Sequence, residues 1–277
     1  MPRLVVNDLS YHYHCQGSGP PLLLLHGFAG SHASWAHLQA GFAGHFLTHA
    51  VDLPGHGKTD TPRDATRCRQ ELVSADLVAL MARCGHNRFN LLGYSMGGRL
   101  ALALTLCFPD KVTALVLESA SPGLPTAAER ELRRRQDEAL AGKIEAEGVR
   151  RFVEEWEQLP LFASQRQLPS SVRNALRQQK LGNSAHGLAT SLRGAGTGAQ
   201  HSCWSQIPQL KTPTLLICGE LDAKFCDLAR RMVSANPALK LRQVAGAGHC
   251  VHLEQAQSFQ RAAMDFLIGQ EKRHAGI

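Results

Sequence analysis

Residues 91–100 read LLGYSMGGRL, an apolar run that leads into a serine between glycines. The spacing of Gly93, Ser95 and Gly97 is typical of a sharp turn between a buried strand and a helix, which lifts the serine hydroxyl above a sheet. We expect a strained backbone at this turn, and the start of the following helix favours negative charge beside the serine. Small residues that only permit a tight turn would give the same pattern, so a catalytic serine needs support from the rest of the chain.

Strand and helix patterns alternate on both sides of this turn. The short apolar runs PLLLLHG and LTHAVDLPGHG are typical of strands that are buried on both faces, and ELVSADLVALMARCG has helical periodicity. This alternation predicts an α/β fold with a mostly parallel sheet flanked by helices. At the N-terminus, residues 3–13 alternate and the stretch CQGSGPP makes a turn, which predicts an opening hairpin.

From about residue 123 the pattern changes to helices alone. Four successive stretches have helical periodicity with no strand pattern between them: TAAERELRRRQDEALAG, GVRRFVEEWEQ, SSVRNALRQQK and SAHGLATSLRGAG. Strand patterns resume near residue 212 with TPTLLICGELD. We therefore predict one α/β core formed by residues 1–122 and 205–277, interrupted by a helical cap over residues 123–204.

The composition limits the classes of function. The 277 residues are 44% hydrophobic and 19% charged, as in ordinary globular proteins. The net charge is +7, but the densest basic stretch, RELRRRQDE, is interleaved with acids. This favours a small anionic substrate over nucleic acid. No apolar run approaches the ~18 residues of a membrane span, and the eight cysteines form no CxxC pair. We expect a cytoplasmic protein that does not insert into membranes.

A catalytic serine needs a base, and the base needs an acid that orients it. His249 follows a strand pattern and a glycine loop, and Asp222 comes directly after another apolar strand. His252 is the nearest rival for the base, and Glu220 and Asp227 are rivals for the acid. Position after a strand favours the first pair, and the resulting order of serine, aspartate and histidine is that of the α/β-hydrolase triad.

The stretch LLLLHGFAG predicts the remaining part of such a site. A strand is followed here by a glycine-containing loop, whose backbone N–H at Phe28 is available to an oxyanion. The N–H of Met96, directly after the serine, would be the second donor.

No metal or organic cofactor is predicted. The 14 histidines include no H-E-x-x-H arrangement. The HYH stretch at residues 12–14 is interpreted as strand surface.

Two cations follow members of the predicted triad closely. Arg99 lies four residues after Ser95 on the same helix, so it projects from the same face one turn further on. A surface arginine or an internal ion pair is the alternative. Lys224 follows Asp222 by two residues near the mouth of the expected pocket, with a solvated loop lysine as its alternative. A buried arginine beside the serine would need a carboxylate partner, because an unpaired buried charge is costly.

The cap contributes four more arginines, at positions 130, 133, 134 and 135. Some are expected to form exposed pairs such as Glu129–Arg133 or Glu131–Arg135. Residues at successive helix positions point in different directions, so the four cannot all face one pocket.

The chain resembles the α/β-hydrolase family through these segments. Within it, the chain resembles the 2-succinyl-6-hydroxy-2,4-cyclohexadiene-1-carboxylate synthases of menaquinone biosynthesis. The matching stretches are LHGFAGSHASW, VDLPGHG, GYSMGGR, ESASPGL, W-x-x-x-P-L-F-A-S at residues 156–164, and GELDAKF. HGF and DLPGHG are common in the wider family. GYSMGGR, PLFAS and GELDAKF are more particular and span core and cap.

The resemblance implies a lyase that eliminates pyruvate from 2-succinyl-5-enolpyruvyl-6-hydroxy-3-cyclohexene-1-carboxylate. The serine, activated by the histidine and the aspartate, would remove a proton from the substrate ring rather than attack a carbonyl carbon. The partner would be a small polycarboxylate, bound or enclosed by Tyr94, Arg99, Arg133, Trp156 and Lys224. Arg133 is chosen from its cluster by family position.

Two other functions use the same sequence features. A carboxylesterase or C–C hydrolase would have the same triad, with Ser95 as nucleophile. A non-catalytic small-molecule receptor would bind ligand without turnover, and the complete triad argues against it. Pyruvate release and ester cleavage, measured side by side, distinguish these functions.

Overall fold

The computed structural model describes residues 2–274 and contains an eight-stranded sheet. Its strands are β1 Arg3–Val6, β2 Leu9–Gln16, β3 Pro21–Leu25, β4 Leu47–Val51, β5 Phe89–Tyr94, β6 Val112–Glu118, β7 Thr214–Gly219 and β8 Lys240–Val244. They are arranged in the order β1-β2-β4-β3-β5-β6-β7-β8. Strand β2 is antiparallel to both neighbours, and the strands from β4 to β8 are parallel. The predicted α/β class with a mostly parallel sheet is confirmed.

Helices lie on both faces of this sheet and in one long segment between β6 and β7. They are α1 Ala36–Ala43, α2 Gln70–Arg83, α3 Met96–Cys107, α4 Ala127–Trp156, α5 Ser170–Leu181, α6 Ala185–Ala195, α7 Ala223–Ala235, α8 Val251–Glu254 and α9 Ala256–His274. A 3₁₀ helix, Pro160–Gln167, precedes α5. Among residues 2–274, no helix is both long and apolar enough to cross a lipid bilayer.

The opening hairpin differs from its prediction in the position of its turn. The turn lies at Asn7 and Asp8, whose φ angles are 43° and 70°, and not in the CQGSGPP stretch. Residues after Gln16 lead to β3, and β4 lies between β2 and β3. Asn and Asp tolerate positive φ better than other non-glycine residues, so a two-residue turn forms without glycine.

The central strands are apolar throughout because both faces of the sheet are covered. In β3, Leu23 and Leu25 pack into the layer beneath α2, α3 and α7, whereas Leu22 and Leu24 pack towards α1 and α9. All four side chains are fully buried. This double burial explains why the strand reads as a continuous leucine run rather than an alternating one.

The segment between β6 and β7 has its own small apolar cluster. Side chains of α4 and α6, among them Ile144 and Leu188, pack together with Ala29 of the loop after β3. Thr126 caps the start of α4 through a reciprocal capping box with Glu129. The helix is broken at Gly148, where φ is 81°. The break lets two helical stretches cover the carboxyl end of the sheet.

The turn between β5 and α3 depends on close backbone contact. A Cβ atom on Gly97 would overlap the carbonyl oxygens of Leu25 and His26, and one on Gly93 would overlap the carbonyl of Gly97. Only glycine therefore allows α3 to approach the end of β3 so closely.

We predict that Gly97→Ala lowers the free energy of unfolding by about 1–3 kcal/mol, because the added methyl group must displace backbone. Gly142→Ala in α4 is the matched control, since its new Cβ would meet no heavy atom within 4 Å. That variant should be stabilised by about 0.5–1 kcal/mol through helix propensity. Urea unfolding of both variants measures the difference, and equal stability would contradict the packing argument.

Candidate active site

Ser95 occupies a strained position between β5 and α3. Its φ and ψ angles are 51° and −107°, a region that residues with a Cβ rarely adopt. Its backbone N–H donates to the carbonyl of Glu118 at 2.9 Å, and its carbonyl accepts from the N–H of Arg99 at 2.9 Å. The neighbouring strand and the first turn of α3 thus hold the strained residue.

The structure brings Ser95, His249 and Asp222 together in one hydrogen-bonded chain. His249 Nε2 lies 3.0 Å from Ser95 Oγ, and its Nδ1 lies 2.6 Å from Asp222 Oδ2. Both His249 and Asp222 are buried. With Nδ1–H donating to the carboxylate, Nε2 is free to accept the serine proton. The arrangement can therefore make the serine oxygen a base or a nucleophile.

Two of the sequence rivals, His252 and Glu220, have other partners. The His252 ring is hydrogen-bonded to Glu118 rather than to the serine. Glu220 accepts a hydrogen bond from the N–H of Gly246 at 3.2 Å.

Phe28 and Met96 line the same cavity as Ser95. Met96 is the first residue of α3, and N–H groups in a first helical turn have no partner within the helix. The loop that carries Phe28 is fixed by His26, whose Nδ1–H donates to Gly27 O at 2.7 Å while Nε2 accepts from Leu53 N at 3.0 Å. Burial lowers the pKa of His26, which keeps this pattern of a neutral ring.

A cavity of about 610 Å³ opens in front of the serine. Every predicted site residue except Asp222 lines it, and Asp222 lies behind His249. Tyr94 packs against His249, with ring centroids 5.5 Å apart. Trp156 belongs to an aromatic group that also contains Phe28, at 5.5 Å, and Phe162, at 5.6 Å. Residues of the sheet and of the helical segment therefore enclose the Ser95 side chain together.

Arg99 is buried in this cavity, with 9% of its surface exposed. Its guanidinium donates to Gln200 Oε1 at 2.9 Å and to the carbonyl of Ala195 at 3.1 Å. Burial lowers the pKa of Arg99 to about 10; Asp137 raises it and Arg133 lowers it further. The side chain remains charged at neutral pH, and both hydrogen bonds go to uncharged groups.

The arginines at the start of α4 divide as their helix positions require. Arg133 lines the cavity and donates from Nε to Asp137 Oδ1 at 2.7 Å. Arg134 and Arg135 both pair with Glu131, so the expected Glu131–Arg135 pair is present. The expected alternative pair with Glu129 does not form, because that carboxylate caps the helix at Thr126.

Sequence reasoning missed a buried pair next to the triad. Glu118 ends β6 with no exposed surface, and its carboxylate accepts from the backbone N–H of His252 at 2.9 Å and from its ring Nδ1 at 2.8 Å. Burial alone lowers the pKa of His252, but Cys250 and Glu118 outweigh it and raise the pKa to about 10. Burial raises the pKa of the Cys250 thiol, so the carboxylate supplies the negative charge. The sequence signal was an acid at the end of a buried strand, as at Asp222.

The HYH stretch was wrongly interpreted as strand surface, because His12 is buried. His12, His32 and Asp52 lie close enough to share a metal ion. The Asp52 carboxylate already accepts from both rings, at 2.9 and 2.8 Å, and from the N–H groups of His32 and Lys58. Four donors occupy its lone pairs, so this cluster is explained by hydrogen bonds that hold the loop after β4.

Comparison with known proteins gives consistent results. The α/β-hydrolase fold family matches residues 20–256. The putative 2-succinyl-6-hydroxy-2,4-cyclohexadiene-1-carboxylate synthase of Bacillus subtilis is 41% identical over 89% of this chain and 89% of that protein. The synthase of the same name from Serratia proteamaculans is 33% identical over 90% and 93%. The solved structure of MenH from S. aureus has a TM-score of 0.89 and 32% identity, over 94% of this chain and 98% of that one.

The Glu118–His252 pair should make stability depend on pH. The folded pKa of His252, about 10, lies above the unfolded value of about 6.5. The pair's contribution should thus be complete below about pH 6.5 and decline towards pH 10. We predict that the difference in unfolding free energy between wild type and the double variant Glu118→Gln, His252→Gln narrows over this range. Urea unfolding from pH 6 to 10 measures it, and a constant difference would contradict the ion pair.

Proposed function

Since the chain belongs to the α/β-hydrolase fold family and, within it, to the 2-succinyl-6-hydroxy-2,4-cyclohexadiene-1-carboxylate synthases, we propose that it catalyses the reaction for which these relatives are named. It would eliminate pyruvate from 2-succinyl-5-enolpyruvyl-6-hydroxy-3-cyclohexene-1-carboxylate in menaquinone biosynthesis. The observation that carries this proposal is Arg99, a buried cation that forms no ion pair with a carboxylate of residues 2–274 and lines the same cavity as the hydrogen-bonded Ser95.

The names of substrate and product define the bonds that change. A proton leaves ring carbon 2, the double bonds move to positions 2 and 4, and the C–O bond at carbon 5 breaks. The departing enolpyruvate takes up a proton and becomes pyruvate. Carbon 2 is acidic because it carries the succinyl carbonyl, whose oxygen receives the negative charge when the proton leaves. A base near carbon 2 and donors near that oxygen are therefore required.

The residues around Ser95 supply both requirements in our proposal. His249 takes the Ser95 proton while Asp222 stabilises the imidazolium, and the serine oxygen then removes the proton from carbon 2. The backbone N–H groups of Phe28 and Met96 donate to the developing enolate oxygen. Tyr94 and Trp156 form apolar walls that exclude water.

The carboxylates of the substrate explain the charge of the cavity. A cavity for neutral acyl chains gains nothing from a buried guanidinium, whereas a carboxylate pairs with it in a bidentate manner. Arg99 would bind one carboxylate beside the reaction centre, and Lys224 at the mouth would bind another. Arg133 would contribute more weakly, because Asp137 already neutralises it.

We also propose that residues 123–204 act as a cap over the core formed by residues 1–122 and 205–277. Phe162 of this segment lies 6.0 Å from the His249 ring, which supports a role in enclosing the substrate. All eight cysteines are free thiols, which supports action in the reducing cytoplasm.

The test compares two reactions of the same protein. Pyruvate release from the enolpyruvyl substrate is measured beside cleavage of a short-chain p-nitrophenyl ester. We expect fast elimination and weak ester cleavage, with Ser95→Ala losing about 10³-fold or more of the elimination rate. Ser95→Ala must fold like wild type, so that misfolding is excluded as the cause of the lost rate. Brisk ester cleavage without pyruvate release would overturn the synthase and favour a carboxylesterase.

Arg99→Gln should separate the two activities. We expect kcat/KM for the polycarboxylate to fall by about 10²-fold, because a buried charge pair with the substrate is lost. Cleavage of a neutral p-nitrophenyl ester by the same variant is the control and should change by less than about threefold. An equal loss of kcat/KM in both reactions would mean that Arg99 supports the packing of the site and does not bind a substrate carboxylate.

A further inference from the structure

Five lysine and arginine side chains line the cavity, at Arg99, Arg133, Lys180, Lys224 and Arg231, and Glu129 is the one acid among its lining residues. Two of these cations are neutralised by ion pairs, Arg133 with Asp137 at 2.7 Å and Lys180 with Glu157 at 3.0 Å. Within residues 2–274, the other three form no ion pair. The cavity therefore presents three positive charges that no ion pair within these residues neutralises.

Arg231 is the member of this trio that has not been assigned a role. It lies on α7, and its Cζ atom stands 4.6 Å from the centroid of the Trp204 ring. The indole is itself fixed, because its Nε1–H donates to the carbonyl of Gly123 at 3.0 Å. A guanidinium stacked on an aromatic face keeps its N–H edge free to meet a planar anion.

Glu129, the acid among the cavity-lining residues, has hydrogen-bond partners other than Arg231. The Glu129 carboxylate accepts from both the backbone N–H and the hydroxyl of Thr126, at 2.9 and 2.6 Å. These hydrogen bonds are the main cause of its lowered pKa, and the charges of Arg130 and Arg231 contribute less. The acid thus caps α4 and does not pair with Arg231.

We propose that Arg231, held on the Trp204 ring, is a carboxylate-binding subsite at the rim of the cavity. Arg231 provides the third unpaired cation, and it takes the carboxylate-binding role that the resemblance implied for Arg133. The identity of the ligand rests on the proposed function: that substrate has three carboxylates, on the ring, the succinyl arm and the enolpyruvyl group. Arg99, Lys224 and Arg231 match them in number and leave the partnered Arg133 outside the set.

The subsite is tested with Arg231→Gln and a matched control, Arg230→Gln. Arg230 is the adjacent exposed arginine of α7; it donates to Gln243 and does not line the cavity. For Arg231→Gln we expect the KM for the enolpyruvyl substrate to rise about 5–10-fold with kcat within about twofold, because an exposed cation contributes to binding more than to chemistry. Arg230→Gln should keep the wild-type KM.

Raising the ionic strength should shrink the difference in KM between wild type and Arg231→Gln, since the contact is electrostatic and exposed. An unchanged KM in Arg231→Gln, or a lower kcat with unchanged KM, overturns the subsite. If Arg231→Gln does not fold, Arg231→Lys keeps the charge without the planar fork and should show a smaller rise in KM.

A second measurement separates this inference from the proposed reaction. Absence of pyruvate release by wild type would defeat the proposed function alone. Calorimetric binding of tricarballylate, a simple tricarboxylate, then decides the subsite: weaker binding to Arg231→Gln than to Arg230→Gln supports it. Equal binding to the two variants overturns it, and so does an absence of binding to wild type.

Discussion

Glu118 joins the two loops on which the site depends. Its carbonyl accepts the N–H of Ser95, and its carboxylate holds both the backbone and the ring of His252, three residues after His249. The strained Ser95 and the loop that carries His249 are thus both hydrogen-bonded to the end of one strand, β6. A buried ion pair is costly to form, but removing one partner leaves an unpaired charge in the core, so the pair tolerates little rearrangement. This shared anchor supports the 3.0 Å contact between Ser95 Oγ and His249 Nε2.

The cavity in front of the serine is defined by charge as much as by shape. Its walls are aromatic, with Phe28 and Trp156 in edge-to-face contact, and its cations exceed its acids. Arg99 donates to an amide and a carbonyl, which are both uncharged, so neither hydrogen bond neutralises the guanidinium. The nearby Asp137 carboxylate stabilises this charge, and a bound anion would stabilise it further. The same triad with neutral walls would suit an ester, so the arginines rather than the triad decide the chemistry that we propose.

The helical segment completes the site without contributing to the triad. It supplies Trp156, Phe162 and the carbonyl of Ala195, and it packs on the loop after β3 through Ala29. In the mechanism that we propose, this segment would exclude water from the developing enolate and so strengthen each electrostatic contact in the cavity. This segment also reduces the number of unpaired cations in the cavity, because its Asp137 and Glu157 form ion pairs with Arg133 and Lys180.

The sequence by itself determined the fold class, the turn at Ser95 and the candidate serine, histidine and aspartate. These features depend on local periodicity and on position after a strand, which can be read over a few residues. Their roles remain predictions, although the structure brings them into contact. The partner of Arg99 and the pairing of Glu118 with His252 were decided only by the tertiary structure, because they join residues 101 and 134 positions apart. The contact of Arg231 with Trp204 was also decided only by the tertiary structure. Helix spacing predicts the face on which a side chain lies, but only packing brings a second element against that face.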